Sequence, residues 1–282
     1  MVRKRKVILS RKGFDNTAGG KPSAILDNKF YSFPIPKVDS DLFYKNLQVN
    51  DNLNYLELMK DLNIKYFSEA HLDPDIRKNT INNRPENWRG IFGQSGSAET
   101  ILEKNDIKNG DLFLFFGWFK KVDKIKNKHK YSKDASNVHC IYGYLEVEEK
   151  FDLCLHNKQL PQWTLSHPHV KHSSEYKGRN AIYTATENLS FSPNKTGWGT
   201  FHYDTRLVLT KENQPKRSVW ELPNIFAKEV SRFNGKTTFT ELNNGNFQAE
   251  FIGMNNQELF ISDNDEIMGW AKELIKQCPS EC

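Results

Sequence analysis

The chain has 282 residues, 37% of them hydrophobic and 27% charged, with a formal net charge of +5. That is enough for a full hydrophobic core in one large domain, and the composition is that of an ordinary globular protein. No run approaches the roughly 18 apolar residues of a membrane-spanning helix. The opening MVRKRKVILS has too short an apolar run for an export signal, so a cytoplasmic protein without membrane contact is expected.

In chain order, KVILS (Lys6 to Ser10) reads as a buried strand, and the Gly- and Pro-bearing RKGFDNTAGGKPSAI as a loop leaving it. NKFYSFPIP, from Asn28, predicts a strand ended by prolines. Leu, Tyr and Met spaced between Asp39 and Lys60 predict one or two helices with Asp and Ser caps. A short helix is expected over Ser97 to Lys104. GDLFLFFGWF (Gly110 to Phe119) and NVHCIYGYLEV (Asn137 to Val147) predict two strands covered on both faces, joined by a lysine-rich loop from Lys120 to Lys133. Asn180 to Phe191 and Phe201 to Thr210 read as further strands with NKTGWG as the turn between them. Short strands and a last helix, EIMGWAKELIKQC, are expected after them.

The lysines of this loop, with Arg3 to Lys6, are either solvated charge or an attraction for a polyanion. Cys140, Cys154, Cys278 and Cys282 form neither a CxxC pair nor a disulfide ladder, which fits a reducing compartment. Cys278 and Cys282 could join a metal site with histidines. Walker A, Rossmann, HExxH and GxSxG patterns are absent, as is the zinc-deaminase signature. ATP hydrolysis, dehydrogenation and common hydrolase chemistry are therefore disfavoured.

The ordered set ILSRKGFD…GGKPSAI, HLDPD, FGQ, GDLFLFFGWF…HCIYGYLEV, HPHV and RSVWELPNIF resembles the nucleotide-modification-associated domain, third family. The resemblance spans residues 7–226 and leaves 227–282 as an extension within one domain of 1–282. It implies association with bacterial and phage systems that make or handle modified nucleotides, together with partner proteins of such a modification or defence system, and brings no reaction with it. GDLFLFFGWF with IYGYLEV is also similar to paired strands of PUA-like domains, including the EVE and ASCH groups. The fold expected is α+β, with a mixed, largely antiparallel sheet or a PUA-like barrel as its core and flanking helices.

Candidate site residues fall in several motifs. In SRKGFD, Arg11 offers a planar fork for phosphate, Lys12 a point charge and Asp15 an acceptor or base. In HLDPDIR, His71, Asp73 and Asp75 alternate, so an extended chain would turn them to one face. Carboxylates suit Mg²⁺ or Mn²⁺, and histidine favours a transition metal. Asp73 before Pro74 also reads as a helix-start cap, which leaves His71 and Asp75 as the pair of interest. WRGIFGQSGS supplies Arg89 for phosphate and Gln94 for base edges. SHPHVK gives His167 and His169, at a spacing used in metal and acid-base sites. Trp118, at the end of its strand beside clustered lysines, is the aromatic to stack a base, whereas Phe113, Phe115 and Phe116 read as core.

The leading expectation is an enzyme acting on a nucleotide or nucleic-acid base. Arg11, Lys12, Arg89, Gln94, Trp118 and His167 would bind substrate, and Asp15, His71, Asp75 and His169 would supply acid-base or metal chemistry with a divalent ion. The alternative is a non-catalytic PUA-like reader that stacks a modified base on Trp118.

Overall fold

The computed structural model describes residues 3–38, 40–155, 158–253 and 257–281. The β-branched run Val7–Arg11 forms strand β1, buried except at Arg11. A hairpin follows, β2 (Ser23–Leu26) and β3 (Lys29–Tyr31), turned by Asp27 and Asn28 at positive φ, as a two-residue hairpin turn requires. Then come β4 (Ile35–Pro36), β5 (Gln48–Asn50), β6 (Leu53–Asn54), helix α1 (Tyr55–Asp61) and β7 (Ala70–His71). The helical spacing expected from residue 39 onward is realised only in α1 and a 3-10 turn at Tyr44–Asn46, because Gln48 to Asn54 pair as a hairpin. Asp39, one of the expected caps, lies outside the described residues. α1 opens on a capping box: Asn54 Oδ1 accepts from the Glu57 backbone N–H at 2.9 Å, and Glu57 Oε2 from that of Asn54 at 3.1 Å.

Strand β8 (Ile91–Ser95) runs into α2 (Gly96–Lys104), and β9 (Leu112–Ile125), β10 (Lys128–Tyr131) and β11 (Val138–Asp152) form the centre. The lysine stretch corrects an expectation: most of it is not a loop but the outer half of β9 paired with β10, turned at Lys126 and Asn127, both at positive φ. Val122 is buried there while Lys121 and Asp123 on either side are exposed, the alternation of a strand covered on one face only.

Downstream lie α3 (Pro168–Lys171), β12 (Asn180–Ala185), β13 (Asn188–Leu189), β14 (Ser192–Thr196), β15 (Trp198–Phe201) and β16 (Val219–Leu222). After them come β17 (Lys236–Glu241), β18 (Phe247–Ile252), β19 (Glu258–Ser262), α4 (Asp265–Gln277) and β20 (Ser280–Glu281). NKTGWG thus contributes to strands, not to a simple turn. The chain leaves the sheet after Phe201 and enters a 3-10 turn at Thr205–Leu207, where Asp204 Oδ1 accepts from the Arg206 backbone N–H at 2.9 Å.

An 11-stranded sheet runs β19-β1-β9-β11-β12-β8, with β2, β3, β10, β15 and β20 attached to it. β1 is parallel to β9 and antiparallel to β19, and the sheet is mostly antiparallel and curls into a half-barrel, giving an α+β fold. The segment after residue 226 is therefore built into the sheet through β19. Inside the curl, Phe92, Phe113, Phe115 and Tyr183 pack ring against ring, with Phe92 and Phe113 centroids 4.9 Å apart. The curl brings the two end strands of the six-strand path together: Gln94 Nε2 of β8 donates to Glu258 Oε1 of β19 at 2.5 Å. No helix among the described residues is long and apolar enough to cross a membrane.

Candidate functional site

Several of the polar residues singled out in the sequence meet near this seam. The segment after β7 runs antiparallel to β8, since Asp75 and Ile91 exchange both backbone hydrogen bonds at 2.9 Å. That register sets Asp73 beside Gly93, whose N–H donates to Asp73 Oδ1 at 2.6 Å. On the other side α3, with Pro168 in its first turn, delivers His167 and His169. His169 Nδ1 donates to Asn180 Oδ1 at 2.7 Å, because the same amide gives its N–H to the His169 carbonyl at 3.0 Å and so fixes which end accepts. His169 Nε2 is left 3.9 Å from Asp73 Oδ2, and His167 Nε2 lies 3.4 Å from Asp73 Oδ1.

The His71 and His169 ring centroids are 5.1 Å apart, and one ligand atom each from His71, Asp73 and His169 fall within 4.8 Å of one another. His71 Nδ1 and His167 Nε2 are buried without a hydrogen-bond partner; the His167–Asp73 contact has ion-pair distance but not hydrogen-bond alignment. Gly93 makes the packing achievable, since a Cβ there would stand 2.3 Å from His169 Cδ2 and 2.9 Å from His167 Cε1. Tyr176 stacks on His169 with centroids 4.6 Å apart.

Burial lowers His71 to about 3 and His169 to about 4. Burial alone would raise Asp73, but His167, His169 and Lys12 together outweigh it and hold its carboxyl well below the usual range. At neutral pH the group is an ionised carboxylate facing neutral His71 and His169 rings. Lys12 reaches the same region: its Nζ is 3.7 Å from Glu258 Oε1 and 3.1 Å from Gln257 Oε1, and it lies over the Phe92 ring at 4.4 Å. Burial raises Glu258, whose Oε1 also accepts from Ser10 Oγ at 3.1 Å.

Arg11, Asp15 and Trp118 meet instead in a cleft of about 630 Å³, lined also by Asn137, His139 and Arg217. Arg11 and Lys12 are successive residues at the end of a strand, where successive side chains take opposite faces. Asp15 Oδ1 accepts from the Thr17 and Ala18 backbone N–H groups at 2.7 Å, and its Oδ2 is 3.7 Å from Arg11, so it organises the loop. Trp118 lies within β9, which continues to Ile125, and not at a strand end as expected; its Nε1 donates to Asn137 Oδ1 at 2.9 Å. The Arg217 guanidinium lies 4.0 Å from the Trp118 ring centre. Burial, and the Arg11 charge after it, lower the Arg217 pKa.

Two candidates stand apart in ion pairs of their own: Asp75 with Arg84 at 2.6 Å, and Arg89 with Glu148 at 2.6 Å. In the histidine–aspartate motif it is thus Asp73, read from the sequence as a cap, that faces the rings. The alternation in HLDPD contained that signal; Arg217 and Glu258 had none, being far from their partners in sequence, and Asn180, 11 residues from His169, lies in no motif that marks it. Cys140, Cys154 and Cys278 are free thiols, and Cys282 lies outside the described residues, so its pairing with Cys278 does too.

A family model described as nucleotide modification associated domain 3 matches residues 6–256. No curated protein and no solved structure matches the chain.

Proposed function

Because the chain belongs to the family of nucleotide modification associated domain 3, we propose that it is an enzyme of nucleotide or nucleic-acid base modification. In this reading it grips its substrate in the Arg11–Trp118–Arg217 cleft and carries its polar chemistry in the histidine–aspartate group at the seam. A bacterial or phage DNA-modification or defence setting is part of the proposal. One observation carries the binding half: a guanidinium stacked 4.0 Å from an indole, with a second arginine lining the same open cleft. Burial lowers the pKa of both guanidiniums and the Asp15 carboxylate offsets this in part, and a phosphate fits their planar forks. The indole beside them offers a π-surface for a base.

A second reading, a non-catalytic reader of a modified base, is favoured by the composition of the cleft, whose lining does not include His71, His167 or His169. One titration series addresses both. Labelled oligonucleotides and mononucleotides are expected to bind, and Trp118→Ala to weaken binding by roughly 1–3 kcal/mol. Unchanged affinity in Trp118→Ala, or no binding at low salt, would remove the cleft from the proposal. Nucleotide turnover by the wild type that is lost in a folded His71→Ala variant supports the enzyme; binding without turnover supports the reader.

A further inference from the structure

The geometry points to a transition-metal site formed by His71, Asp73 and His169 at the seam of the half-barrel, whatever the cleft binds. The ligand types select the ion class. Two imidazoles and a carboxylate suit divalent first-row ions such as Zn²⁺, Fe²⁺, Co²⁺ or Mn²⁺, whereas Mg²⁺ and Ca²⁺ favour oxygen ligands throughout. The ligand atoms lie within 4.8 Å of one another, and side-chain shifts of about an ångström would place each ~2.0–2.2 Å from a shared ion.

The surroundings are those of a ligand set and not of three core residues satisfying one another. Burying a ring nitrogen without a partner is unfavourable, yet His71, only 7% exposed, keeps Nδ1 unpartnered. His169 commits its Nδ1–H to Asn180 and keeps the Nε2 lone pair on the Asp73 side, the outer hydrogen bond that orients ligating histidines. Asp73 is anchored by the Gly93 N–H through one oxygen, and its other oxygen faces His169. His167, at 3.4 Å from the anchored oxygen, acts on the carboxylate and is a positioning residue, as is Asn180.

The test is metal content of the full chain, produced anaerobically and reconstituted separately with Zn²⁺, Fe²⁺, Co²⁺ and Mn²⁺, then measured by elemental mass spectrometry after desalting. One ion per chain is expected for at least one metal. Asp73→Asn, which keeps an oxygen for the Gly93 N–H, should lose the ion while circular dichroism shows the fold retained. Asn180→Ala should weaken affinity about 10–100-fold, and His202→Ala, outside the group, should match wild type. If Asp73→Asn does not fold, the Co²⁺-loaded wild type decides the matter: visible d–d bands that Zn²⁺ bleaches support the site. Metal at blank level in folded wild type for all four ions, or full metal content in folded Asp73→Asn, overturns it. Trp118→Ala should keep its metal, so failure of this site and failure of the nucleotide-binding cleft are read separately.

Discussion

His139 shows how a single residue near the cleft ties stability to pH. Its Nδ1 accepts from Trp220 Nε1 at 3.0 Å. Burial, with Arg217 and Arg11 behind it, lowers its pKa to about 3 from an ordinary 6.5. The folded state therefore refuses a proton that the unfolded chain takes up below pH 6.5. The stability this supplies is complete above pH 6.5 and is lost as pH falls toward about 3, at up to about 1.4 kcal/mol per pH unit. His71 and His169, lowered in the same direction, add to the effect. His139→Gln keeps an acceptor for Trp220 and removes the titration, so melting temperature against pH should fall less steeply below pH 6.5 in the variant; parallel curves would refute the assignment.

At the scale of elements, Gly93 lets β8 and α3 approach closely enough for two imidazoles to pass over a strand. Gly93→Ala should destabilise the fold by about 1–3 kcal/mol, as overpacking does, and should displace the His169 ring. Chemical denaturation reports the first effect and the imidazole NMR signals the second.

The elements that were legible in the sequence are those whose burial is written locally. β1, the inner half of β9, β11 and α4 carry continuous apolar runs or a clear helical period, and each forms within a few residues of its expected bounds. The outer half of β9 was hidden because lysines dominate it and only Val122 marks its covered side. β15 was hidden because Gly-Trp-Gly has the look of a turn. Asp73 was obscured by the local habit of Asp-Pro, while the contact that turns it toward the histidines comes from β8, outside the motif. Glu258 meets Ser10 and Gln94 across spans of 248 and 164 residues, a proximity that no local pattern records.

For the whole molecule, the curl of the sheet matters more than any one strand. β1 is held on one side by β9 and on the other by β19. α4 adds Ile267, Ala271, Leu274 and Ile275 to the main core. A chain cut after residue 256 keeps the span matched by the family model but loses both β19 and α4. It should expose one hydrogen-bonding edge of β1 and the apolar surface beneath α4, and so aggregate. Size-exclusion chromatography of that truncation, compared with the full chain, tests the point; a soluble monomer with native circular dichroism would contradict it.

The pairing of β1 with β19 also has a consequence in time. During synthesis β1 leaves the ribosome early and can pair with β9 once that strand emerges, but its other edge waits for more than half of the chain. Glu258, the acid that gathers Ser10, Lys12 and Gln94, arrives with that last wall. The His71–Asp73–His169 group is built from residues before β13, but the links of Glu258 to Ser10, Lys12 and Gln94 can form only after nearly all of the protein has been made. Such non-local closure is intrinsically slow, and it leaves an open strand edge that is prone to aggregation until β19 docks.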